Sequence, residues 1–308
     1  LGLGIIGTGA IAAVHAQCMI DSNVPILGVS GINQSEVEEF SKKFNVAKSY
    51  TNHLDLLSDP NIDAVIVATP SDTHASISVD VLESGKAVLC EIPISLSLNS
   101  YLQVRDAAIS SKKLAAVCQT LRYSSAHMEL KKILKKENLK PLNVLVRNLM
   151  LRQENIGWTG AKRTWTDSVL WHHGAHSLDL ALWLLEPTNP VADIRSGPKW
   201  GDQQIMDING RIESDDKRFA TLNLSYHSRL QKNDVLVITE SDTFEVTNGA
   251  LIRNGEQVTP DVPNNQLLNN AVMMQDLAFL SAVHTGDHSQ VITIENEFQV
   301  MNILDGCS

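Results

Sequence analysis

Leu3-Gly4-Ile5-Ile6-Gly7-Thr8-Gly9-Ala10-Ile11-Ala12 is the stretch on which the fold turns. An apolar strand runs directly into G-x-G-x-x-A, and Ala10–Ile20 continues with helical spacing. The glycine pattern alone is weak; between a strand and a helix it gains a mechanism. Gly7 permits the tight turn, Gly9 lets the backbone approach a pyrophosphate, and Ala12 lets the helix pack close to the strand. The helix N-terminus adds unpaired N–H groups and a positive dipole end. Gly7, Thr8, Gly9, Ala10 and Ile11 are therefore the first cofactor-binding candidates.

Outward from this turn, strand and helix patterns alternate. Ile26–Ser30 reads as a strand and Gln34–Phe44 as a charged amphipathic helix. Asp63–Ala68 is a buried strand ending at Thr69-Pro70, and Asp72–Ser84 a helix stopped by Gly85. Ala87–Cys90 and Leu114–Cys118 are two more short apolar strands. All-apolar strands separated by helices predict a parallel sheet covered on both faces. After a Lys-rich helix around Met128–Lys136 the pattern changes. Strand-like runs at Leu142–Met150, Ala220–Ser225, Asp234–Ile238, Thr243–Val246 and Leu251–Arg253 are interrupted by a helical stretch, Val169–Leu185. Helical patterns return at Leu267–Val283 and Ile294–Ile303. The expected class is α/β: a Rossmann dinucleotide-binding domain over residues 1–120, then a C-terminal α/β domain over 121–308 built on an open, mainly antiparallel sheet.

Composition narrows the partners. The net charge of -10 argues against nucleic acid and anionic membranes, because phosphate binding needs a surplus of Lys and Arg. It leaves room for a small anionic substrate, which feels only its pocket. No apolar run reaches the ~18 residues that span a bilayer. The opening residues read as a strand rather than a charged, cleavable leader, and the 4 cysteines are scattered without paired spacing. A cytoplasmic location with reduced thiols is expected, with neither a disulfide frame nor a zinc site.

Cofactor choice is read after the second strand, where an Asp or Glu would bind the ribose 2′-hydroxyl and repel a 2′-phosphate. Here Val29-Ser30-Gly31-Ile32-Asn33-Gln34-Ser35 carries no carboxylate before Glu36. Ser30, Gly31 and Asn33 are cofactor candidates, and NADP is favoured, with NAD the alternative. Thr69, Pro70, His74 and Glu91 follow strands whose C-terminal ends line a cofactor crevice, and join the same set.

GTGAIA, then Thr69-Pro70-Ser71-Asp72-Thr73-His74, Gly85-Lys86 and Glu91-Ile92-Pro93, together resemble the Gfo/Idh/MocA oxidoreductases over nearly the whole chain. The resemblance implies a Rossmann domain followed by an open-sheet domain, and a homodimer or higher homo-oligomer burying that sheet. Members usually carry Glu-Lys-Pro, whose Lys helps proton transfer; here Ile92 leaves that role vacant. They commonly carry an Asp where His172 stands, whereas His176 keeps the family position. Arg163-Thr164-Trp165-Thr166-Asp167 with Leu170-Trp171-His172-His173-Gly174-Ala175-His176 looks like one branch, the 4-carboxy-2-hydroxymuconate-6-semialdehyde dehydrogenases. That likeness implies NADP and a carboxylated hemiacetal oxidised to 2-pyrone-4,6-dicarboxylate.

Oxidising a lactol needs a hydride acceptor and a base, and imidazole suits the second task near neutral pH. His176 is the first candidate, with His172 or His173 binding substrate or relaying the proton. His172 and His176, four apart, are expected on one helix face. Structural histidines and a metal site are the competing readings; H-E-x-x-H is absent and no metal is expected. A diacid calls for guanidinium forks, so Arg122, Arg152 and Arg163 are substrate candidates. Asn155 and Thr166 are neutral donors, and Trp165 a pocket wall. Two other functions remain open: a family dehydrogenase of a sugar, polyol or dihydrodiol, and a cofactor-binding sensor without turnover, motivated by the missing lysine.

Overall fold

The structure, a computed structural model, describes residues 1–153, 168–201 and 204–307. By its internal contacts the chain forms two compact units. The first is Leu1–Gln119 with Val272–Met301, and the second Thr120–Ala271 with Asn302–Ser308. A single cut near residue 120 therefore misses the return of residues 272–301 to the first unit.

The first unit contains β1 (Leu3–Ile6), α1 (Ala10–Asp21), β2 (Ile26–Ser30), α2 (Gln34–Phe44), β3 (Lys48–Tyr50), α3 (His53–Leu57), β4 (Ala64–Val67), α4 (His74–Glu83), β5 (Ala87–Cys90), α5 (Leu98–Ser111) and β6 (Ala115–Val117). Its sheet runs β3-β2-β1-β4-β5-β6, with every neighbouring pair parallel. All residues of β1, β4 and β5 are buried, as expected where helices cover both faces. Strand order reverses between β1 and β4, and open α/β sheets bind ligands beyond the carboxyl ends at such a point.

The second unit begins with α6 (Ser125–Lys136), β7 (Asn143–Leu151) and α7 (Ala175–Leu185). Then come β8 (Val191–Ser196), β9 (Lys199–Trp200), β10 (Gln204–Ile205), β11 (Asp207–Glu213), β12 (Phe219–Ser225), β13 (His227–Ile238), β14 (Thr243–Thr247), β15 (Ala250–Arg253) and β16 (Glu256–Gln257). Its main sheet runs β16-β15-β14-β13-β7-β12-β11-β8; only β7 and β12 pair in parallel. Side chains alternate along β7. Val144, Val146 and Asn148 are buried, whereas Leu145, Arg147 and Leu149 stand on the less covered face. On that face Arg147 grips Asp234 of β13, with Nε 2.8 Å from Oδ1.

Two further helices, α8 (Asn264–Thr285) and α9 (Phe298–Asp305), end the described chain. Val272, Phe279 and Ala282 of α8 and Val291 beyond it belong to the same apolar core as Leu3, Ile5 and Val29. Residues after α8 also extend the sheet edge: Val117 N donates to Ile292 O and Ile294 N to Ala115 O, both at 2.9 Å. Among the described residues no helix is long and apolar enough to cross a membrane. Because α8 completes the first unit's core, Phe279→Ala, at a fully buried site, is expected to cost about 3–5 kcal/mol. Leu277→Ala, at a partly exposed one, should cost no more than about 1 kcal/mol. Urea unfolding followed by circular dichroism checks both; equal costs would contradict this packing.

Candidate functional site

The glycine turn is built for a close approach. Gly7 has φ +122°, and a Cβ there would fall 2.3 Å from the Ala68 carbonyl oxygen. Its N–H donates to Ser30 O at 2.8 Å, tying the turn to the end of β2. Gly9 opens α1 without any side-chain cap, and a Cβ added there would meet nothing within 4 Å. An uncapped helix N-terminus behind open space fits a pyrophosphate.

The candidates after β2 fare unevenly. Ser30 is buried, with 1% of its surface exposed, so its carbonyl serves the glycine turn while its hydroxyl is withdrawn from solvent. Asn33 caps α2, its Oδ1 accepting from Ser35 N at 3.1 Å and from Ser35 Oγ at 2.8 Å. Gly31 donates its N–H to Tyr50 O. At the ends of β4 and β5 one expectation fails. Both ring nitrogens of His74 face main-chain carbonyls, Pro93 O at 2.7 Å and Thr69 O at 2.8 Å. His74 is buried and clasps two loops instead of presenting its ring to a cofactor. Thr69 accepts from Thr73 Oγ1 at 2.8 Å, and Pro70 O receives the Thr73 N–H.

Glu91 leads to a cluster the sequence reading missed. Its carboxylate lies 2.9 Å from His15 Nε2, and His15 Nδ1 lies 2.6 Å from Asp276 of α8. Burial alone would lower the His15 pKa; the Asp276 and Glu91 carboxylates outweigh it and raise the group to about 10. Ligand atoms of His15, Glu91 and Cys118 lie within 4.8 Å of one another. Burial and the neighbouring carboxylates push the Cys118 thiol well up.

In the second unit the three histidines sit on a wide turn. Leu170–Gly174 is a single π-helical turn leading into α7, closed by Gly174 N donating to Val169 O at 2.7 Å. A Cβ at Gly174 would approach that carbonyl to 3.0 Å. The wide turn alters the ring geometry expected of a regular helix. His172 and His173, neighbours in sequence, have ring centroids 4.5 Å apart, against 6.4 Å for His172 and His176. Burial, then the other charged groups nearby, pushes His172 well below its usual value and His173 down to about 3. Both are neutral at pH 7. His173 Nδ1 shares a 2.6 Å hydrogen bond with Tyr226 OH, a fully buried phenol that no sequence motif marked.

Of the two described candidate arginines, Arg152 is brought to the cluster. Its charge contributes to lowering His172 and His173, and its guanidinium lies 5.3 Å from the Tyr226 ring centroid. Arg122 differs from expectation. Its fork is taken by Asp179 of α7, Nε to Oδ2 at 2.8 Å with Nη2 on Oδ1, and it stacks on Trp183 at 5.5 Å. It anchors α7 rather than offering an anion receptor. Asn155, Arg163, Trp165 and Thr166 lie outside the described residues.

Residues 1–119 match the family model described as "Oxidoreductase family, NAD-binding Rossmann fold". Residues 125–252 match "Bacterial oxidoreductases, C-terminal". The chain belongs to the Gfo/Idh/MocA oxidoreductases. Among curated relatives, the 4-carboxy-2-hydroxymuconate-6-semialdehyde dehydrogenase of a Sphingobium species is 24% identical over 98% of this chain and 97% of its own. The glucose-6-phosphate 3-dehydrogenase of Bacillus subtilis is 33% identical over 63% of this chain and 56% of its own. A solved levoglucosan dehydrogenase in complex with NADH superposes with TM-score 0.86 at 15% identity, covering 99% of this chain and 95% of the other. The protein is thus an oxidoreductase with a nicotinamide-dinucleotide fold.

Within this Gfo/Idh/MocA chain, Ile92 is buried, 5% exposed. Glu91 beside it is held by His15. The pairing of His15 has a pH signature. A raised folded pKa means the stabilisation is full below the unfolded value of 6.5 and is lost as pH rises through about 10. The urea midpoint of the native chain should fall between about pH 7 and 10 more steeply than that of His15→Asn; parallel curves would rule out a paired imidazolium.

Proposed function

We propose that this oxidoreductase is a dehydrogenase of a carboxylated hemiacetal, of the type named for its Sphingobium relative, with 2-pyrone-4,6-dicarboxylate as the product. The observation that carries the reading is the grouping of His172 and His173 on the wide turn, and His176 just after it, with Arg152 and Tyr226 from elsewhere in the second unit. A polyol site would be expected to offer carboxylates and amides to hydroxyls. This group of side chains offers neutral imidazoles and a guanidinium, which suit a carboxylate-bearing lactol.

The dinucleotide, when bound, supplies the hydride acceptor for the lactol carbon. Turnover then requires that the lactol hydroxyl lose its proton as the carbonyl of the lactone forms. His176 takes that proton in this reading. His173, held by Tyr226, and His172 are depressed too far to be protonated at neutral pH, so they serve as neutral hydrogen-bond partners of the substrate. Arg152 pairs with a substrate carboxylate. In the second unit Leu145, Leu149 and Phe219 lie on the less covered face of the sheet. A second copy of the chain is the occupant proposed for that face, giving a homodimer.

The test is turnover of the protocatechuate 4,5-cleavage product with either dinucleotide, followed by absorbance of the reduced cofactor. His176→Ala is expected to lower kcat by about 10²–10⁴-fold, the usual weight of a general base. Arg152→Ala should raise KM for the diacid while leaving a neutral lactol unaffected. Turnover of sugars or polyols with none of the diacid lactol would overturn the substrate reading. Full activity in the His176 variant would move the proton to another group.

A further inference from the structure

The segment that follows β2 was read from sequence as lacking the acid that binds a ribose. The structure supplies one from farther along the chain. Glu36, in the first turn of α2, brings Oε2 to 3.4 Å from the Thr8 hydroxyl, the middle residue of the Gly7-Thr8-Gly9 turn. Gly31 favours this approach. A Cβ at Gly31 would meet Thr8 Cγ2 and Val37 Cγ2, both at 3.0 Å, so glycine there eases the closure of the start of α2 on the glycine turn.

Three observations bear on which dinucleotide fits. In a Rossmann unit the adenosine ribose lies between the glycine turn and the end of the second strand, where a carboxylate can accept from the 2′-hydroxyl. Glu36 holds its carboxylate at that junction although it sits six residues beyond Ser30. The groups that suggested a 2′-phosphate are otherwise engaged: Ser30 is buried and Asn33 caps α2. From Val29 to Phe40 the sequence carries Glu36, Glu38 and Glu39 and no Lys or Arg. Guanidinium and ammonium groups are what a 2′-phosphate ordinarily requires.

We propose that Glu36 reads the adenosine ribose 2′-hydroxyl and makes this chain select NAD over NADP. The inference rests on the dinucleotide-binding fold and is independent of the substrate. The carboxylate accepts a hydrogen bond from the hydroxyl of NAD, while a 2′-phosphate would set nearly two negative charges against it. At such distances that repulsion corresponds to at least about tenfold in affinity.

The purified full chain is titrated with NADH and with NADPH, without substrate, by the fluorescence of the reduced nicotinamide. The native chain should bind NADH at least about tenfold more tightly. Glu36→Gln should narrow or abolish that ratio, chiefly by tightening NADPH, because the amide removes the charge and keeps the shape. Glu39→Gln, an equal change of net charge on the same helix, should leave the ratio as it was. Tighter NADPH binding by the native chain would overturn the proposal, and so would an unchanged ratio in Glu36→Gln. An equal effect from Glu39→Gln would replace a specific contact by general charge and overturn it too. Binding of neither dinucleotide would overturn it by removing the cofactor reading on which it rests.

Discussion

A fully buried imidazole held between two carboxylates ties together distant parts of the first unit. His15 lies inside α1 between Asp276 and Glu91, 2.6 and 2.9 Å away. A buried ion is tolerated only when it is paired and hydrogen-bonded, and removing one partner leaves the other unpaired at high cost. One partner stands at the end of β5, beside the ligand-binding edge of the sheet. The other comes from α8, 261 residues along the chain. This pairing explains why a C-terminal helix returns to a domain whose strands were complete by residue 117. Around it, Val272, Phe279 and Ala282 give α8 an apolar seam on the same core.

The second unit treats its histidines in the opposite way. His172 and His173 lie beside one another, with His176, the Tyr226 hydroxyl and the charge of Arg152 nearby. Burial then favours the neutral form, the reverse of His15. Carboxylates beside it favour the charged form of the residue in one unit, and burial without that pairing favours the neutral form in the other. Asp179, a second acid on α7, is occupied by Arg122.

Much of the architecture was legible locally. The apolar runs of β1, β4 and β5, the glycine turn, and the alternation of β7 and β12 follow directly from composition and period. Other elements were less visible, each for a physical reason. The helix α5 is largely polar, buries only Tyr101, Val104 and Ala108, and is announced by its cap, Ser97 Oγ accepting from Ser100 N. Strand β11 has Gly210 at its middle, which reads as a breaker. There it is needed because a Cβ would strike Ile194 of β8 at 2.7 Å. The wide turn at Leu170–Gly174 left no mark in the helical spacing, yet it reordered the three rings.

The sequence by itself determined the layering of the chain: where strands and helices alternate, where a glycine turn joins strand to helix, and which histidines cluster near the start of one helix. These follow from near-neighbour chemistry, which spacing along the chain records. Only the tertiary structure decided which polar groups meet. It joined His15 to Asp276, carried Glu36 back to Thr8, gave His173 its phenol, turned His74 into a clasp and spent Arg122 on Asp179. Hydrogen bonds and charge pairs act over a few ångströms of space, and the folded backbone sets those distances without regard to separation in sequence.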